Sequence, residues 1–79
     1  MATKTAPNIS TVERLLEEVD ECCERVKEVR QRLAPLPRGS GAYLDLLPDL
    51  EVELDILRLK TQHALEALEE FEDSLPNSD

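Results

Sequence analysis

Residues 50–59 read LEVELDILRL, and whether they form a strand or a helix decides the fold. Taken alone, Leu50, Val52, Leu54 and Ile56 alternate with Glu51, Glu53 and Asp55, the period-two pattern of a half-buried strand. A wider window reverses that reading. Leu47, Leu50, Leu54, Leu57, Thr61, Ala64, Leu68, Phe71 and Leu75 recur at steps of three and four, and the run KTQHALEALEE is rich in good helix formers. The stretch is therefore predicted to be part of a helix over about 45–74, with apolar residues on two of its faces. Pro48 fits if that helix begins near Asp45, since a first-turn proline has no N–H to forfeit.

Upstream, Val12, Leu15, Val19, Cys22, Val26, Val29 and Leu33 make a second heptad seam, predicting a helix over about 11–34. Ser10 and Glu13 stand at capping-box spacing at its start. The loop over about 35–44 contains Pro35, Pro37, Gly39 and Gly41, which stop a continuous helix. Residues 1–9 and 76–79 are polar, lack periodicity and are expected to be flexible tails. The fold class read from this pattern is all-α: an antiparallel two-helix hairpin, coiled-coil-like, completed to a bundle by self-association or by a partner.

The two seams mesh in one register. Val12 is set opposite Phe71, Leu15 opposite Leu68, Val19 opposite Ala64, Cys22 opposite Thr61, Val26 opposite Leu57, Val29 opposite Leu54 and Leu33 opposite Leu50. That register brings Glu18 near Lys60, puts Glu53 between Arg25 and Arg32, and leaves Arg25 beside Lys60 as a like-charge contact. Exposed pairs of this kind are worth about 0.2–1 kcal/mol each, enough to select a register and not enough to hold a fold.

Two sets of apolar side chains are left over. Leu16, Cys23 and Leu65 lie along one edge of the seam, and Val52, Ile56 and Leu59 form a stripe turned away from helix one. A hairpin buries one stripe per helix, and 79 residues make a small core with little stability to spare. These six residues are therefore the candidate partner-binding set. A local alternative folds Leu36, Tyr43, Leu44 and Leu46 back over Val52 and Ile56, and self-association into a four-helix bundle would cover the edge.

Composition bounds the function. A net charge of −9 disfavours nucleic acid, whose phosphates need clustered Lys and Arg. No apolar run approaches the roughly 18 residues of a membrane span, and MATKTAPNIS lacks the pattern of a signal peptide. Adjacent Cys22 and Cys23 suit a reducing compartment, so a cytoplasmic location is expected. His63 falls outside the seam and away from Cys22, and the outward-facing glutamates form no Glu-x-x-His motif, so neither a metal site nor a cofactor is expected. No nucleophile, phosphate loop or catalytic triad is visible, and no small-molecule substrate is implied. The reading is a non-enzymatic interaction subunit or adaptor that docks on a protein partner, or on its own copy, through apolar helix faces. Its rival is a small acidic chaperone or regulatory inhibitor that shields a basic or secreted partner.

Overall fold

The computed structural model describes residues 8–75, which form two α-helices, α1 (Ile9–Leu33) and α2 (Gly41–Ser74), packed as a hairpin. The stretch LEVELDILRL is helical throughout, inside α2. Residues 1–7 and 76–79, read above as tails, lie outside the described residues.

Both helix starts differ from the sequence reading. The side chain of Asn8, not of Ser10, caps α1: its Oδ1 accepts the Thr11 backbone N–H at 2.9 Å and the Thr11 hydroxyl at 3.2 Å. Asn is as good an N-cap as Ser, and capping from Asn8 adds Ile9 and Ser10 to the helix, so the Ser10–Glu13 box is not used. At α2 the Ser40 hydroxyl accepts the Tyr43 N–H at 3.2 Å, so the helix starts at Gly41, about one turn before the expected Asp45. Pro48 consequently lies inside the helix and not in its first turn. The Leu44 carbonyl loses its usual donor there, but Leu44 and Pro48 are both exposed and water can serve that oxygen.

The connection is correspondingly shorter, residues 34–40. The Leu36 N–H donates to the Leu33 carbonyl, and the Ser40 N–H donates to the Pro37 carbonyl at 3.1 Å. Gly39 has φ of +81°, the left-handed value required at the third position of a type II turn. The turn delivers Ser40 directly to its capping position.

Every seam position of α1 is covered: Val12, Cys22, Val29 and Leu33 are buried, and Leu15, Val19 and Val26 are half-buried. On α2 only half of the expected seam is. Leu50, Leu57, Ala64 and Phe71 face inward, but the alternate positions Leu54, Thr61, Leu68 and Leu75 are exposed. The places of Leu54, Thr61 and Leu68 are taken by Glu53, Lys60 and Ala67, each the residue just before the one expected, and Leu46 is buried beside a half-buried Leu47. The helix is thus rolled by about half of one residue's 100° step towards its charged edge. Buried Ala64 and Ala67 let the helices approach closely, and the long stem of Lys60 can lie in the seam while its head reaches outward to Glu18. At the loop end Leu46 joins Val29 and Leu33 in a buried cluster, with Leu36, Tyr43, Leu47 and Leu50 packed on it.

Candidate interaction surface

The Glu18–Lys60 pair fixes which edges of the two helices adjoin. Lys60 Nζ donates to Glu18 Oε1 at 2.9 Å, as the sequence register anticipates. Glu18 and Lys60 lie on one side of their respective seams. At about 100° per residue, Leu16 and Cys23 stand about 140–160° round α1 from Glu18, and Leu54 and Leu65 about 120–140° round α2 from Lys60, on the other side; Leu68, about 80° from Lys60, borders the seam on that side. A hairpin has two edges. One is therefore built around an ion pair, and the other carries these five apolar residues with Arg30 of α1 and Glu51 and Arg58 of α2 between them.

All five residues of the apolar edge are exposed, and Ile9 continues the row at the start of α1. The roll of α2 enlarged this edge, since Leu54 and Leu68 were assigned to the seam and instead stand outside it. Leu54 and Leu68 are the surface residues that sequence reasoning missed. The available signal was Ala67 one residue before Leu68: of two adjacent residues, the small one suits a close helix contact.

The second stripe is placed differently from its expectation. Val52 and Leu59 are exposed, 56% and 48% respectively, on the outer side of α2. Ile56 is half-buried, because the same roll that exposed Leu54 turned Ile56 towards α1. The local alternative for covering Val52 is not realised. Leu36, Tyr43 and Leu46 close the loop end of the seam, and Leu44 is itself exposed. Val52 and Leu54 line a shallow surface groove with Glu51, Asp55 and Arg58.

The polar residues fall into place around these surfaces. Cys22 is buried and Cys23 exposed, and both are free thiols; His63 is exposed. Glu53 does not pair with Arg25 and Arg32 as expected. Among the described residues no ion pair joins them, and Glu53 Oε1 is buried without a hydrogen-bond partner. Phe71 is half-buried at the end of the hairpin where Val12 lies.

The hydrogen bond from Lys60, and then its charge, hold the Glu18 carboxyl below the ordinary glutamate range. The same bond and charge raise Lys60, against a smaller opposing effect of the nearby Arg25 guanidinium. The signs define a window. Glu18 contributes stability above its ordinary value of 4.5 and loses it as pH falls through the lowered one. Lys60 contributes below its ordinary value of 10.5 and loses it as pH rises through the raised one. A double-mutant cycle of Glu18→Gln and Lys60→Met should show a small favourable coupling near pH 7 that disappears near pH 2. Equal coupling at both would mean that the two side chains interact only through packing.

Compared with family models, with curated proteins and with solved structures, the chain shows no match. Among the described residues no helix is long and apolar enough to cross a membrane.

Proposed function

We propose that the hairpin is a non-enzymatic interaction subunit that docks on another protein through its exposed apolar surfaces. The observation that carries this reading is the apolar edge. Leu16, Cys23, Leu54, Leu65 and Leu68 are exposed on the same side of the two packed helices, with Arg30, Glu51 and Arg58 among them, while the opposite edge carries the Glu18–Lys60 bridge. Scattered apolar residues on a surface are ordinary, but a row contributed by both elements of one domain marks an interface. These leucines are already about half covered, so covering the rest of one is worth about 1 kcal/mol, and several together make a large gain beside the small core of two helices. The free thiols support a reducing, cytoplasmic setting for the assembly.

The test is the mass of the complex formed by the tagged chain in its native cell. Leu16→Gln combined with Leu65→Gln should weaken assembly about tenfold or more. Circular dichroism should show unchanged helicity, because neither residue lies in the seam. A complex of undiminished yield from that variant would remove the edge as the docking surface.

A further inference from the structure

Resting on that reading, we propose that the outer face of α2, around Val52 and Leu59, takes a basic amphipathic helix of another protein. Both residues are exposed and stand seven positions apart, two turns along one face, so a helix laid along α2 can cover both. Val52 also opens onto the groove it shares with Leu54 and Glu51.

The charge of the occupant follows from how α2 spends its cations. It has two, Arg58 and Lys60. Arg58 is held by Asp55 at 2.6 Å and Lys60 by Glu18 on α1 at 2.9 Å. The helix therefore has no further cation to set against Asp45, Asp49 and Glu66, the exposed acids that share the side of Val52 and Leu59, and most of the chain's net charge of −9 resides on it. On α1, by contrast, Arg14, Arg25, Lys27, Arg30 and Arg32 are interspersed among the acids. A second copy laid α2 against α2 would bring carboxylates onto carboxylates around the apolar anchors, a like-charge juxtaposition that opposes association. A helix with an apolar stripe flanked by Lys or Arg supplies the missing cations and covers Val52 and Leu59 together.

The probe is a synthetic amphipathic peptide of about 18 residues with leucines on one face and flanking lysines. It is compared with a twin carrying glutamates for the lysines and another carrying glutamines for the leucines. Fluorescence anisotropy with the full chain near 0.15 M salt should show the lysine peptide binding at least about tenfold more tightly than either twin. Val52→Gln with Leu59→Gln should weaken it about tenfold, and Leu16→Gln with Leu65→Gln less than threefold, with helicity intact in both. Equal affinity for the glutamate twin would overturn the basic partner yet leave docking through apolar surfaces standing. Equal loss in the two variants would overturn the assignment to this face. Self-association that only the Val52 and Leu59 changes abolish would make a second copy the occupant and overturn the proposal. Binding by none of the peptides would remove this face and leave the leucine edge as the docking surface.

Discussion

Leu46→Ala is expected to unfold much of the chain at room temperature, while Leu54→Ala leaves its thermal transition nearly where it was. Leu46 is 8% exposed, in the cluster with Val29 and Leu33 that closes the loop end of the hairpin. Truncating a buried leucine costs about 2–5 kcal/mol, from the methylenes lost and the cavity left behind. A core of this size supplies only about 3–5 kcal/mol in all, so the one substitution can consume it. Leu54 is 46% exposed, and its truncation should cost no more than about 1 kcal/mol. The comparison is sharp because periodicity alone sets Leu54 in the seam, against Val29. Melting both variants by circular dichroism decides between the two faces. Equal losses would mean that Leu54 is as much a core residue as Leu46, and the observed roll of α2 would be wrong.

The helical hairpin was readable because α1 has a single face on which Val, Leu and Cys recur at steps of three and four. Its seam is covered at every position expected. The rotation of α2 was not readable in the same way, because that helix offers two competing lines. One is all apolar but for Thr61, through Leu54 and Leu68; the other passes through Leu46, Glu53, Lys60 and Ala67. Counting hydrophobic residues favours the first. Packing selects the second, since what matters at a close contact is the size of Ala64 and Ala67 and the reach of the Lys60 stem to Glu18. A candidate surface inherits such an error directly. Of the residues read from the sequence, Leu16, Cys23, Val52, Leu59 and Leu65 are exposed, Ile56 is half-covered, and Leu54 and Leu68 have to be added. The caps show the same limit at shorter range. Asn8 and Ser10 are both good caps, and Ser40 follows the very glycine that looks like a loop residue, so only the turn geometry selects between them.

Glu53→Leu is expected to stabilise the hairpin, because it removes a charged residue from an α2 seam that is otherwise apolar except at Lys60. Glu53 sits in the α2 seam between Leu50 and Leu57, and its Oε1 is buried with no hydrogen-bond partner. A buried acceptor left unsatisfied costs about 1–3 kcal/mol, so removing it should raise the unfolding free energy by a similar amount. That gain is large for a domain this small, and chemical denaturation can measure it. The control is Arg25→Met. If Glu53 does pair with that guanidinium in solution, Arg25→Met will destabilise the protein and Glu53→Leu will strand a cation, so both variants will melt earlier than the parent. If the carboxylate is unpaired, Arg25→Met will be near neutral and Glu53→Leu will melt later. The same substitution carries a structural consequence. With leucine at positions 50, 53, 54 and 57, either line of α2 can face α1 over that stretch, and Lys60 is left as the charged residue that distinguishes them. A stabilised variant with doubled or broadened amide resonances would mean that Glu53 opposes stability and at the same time helps choose which leucines are left outside the seam. Sharp single resonances would assign that choice to Ala64, Ala67, the Lys60–Glu18 bond and the Ser40 cap.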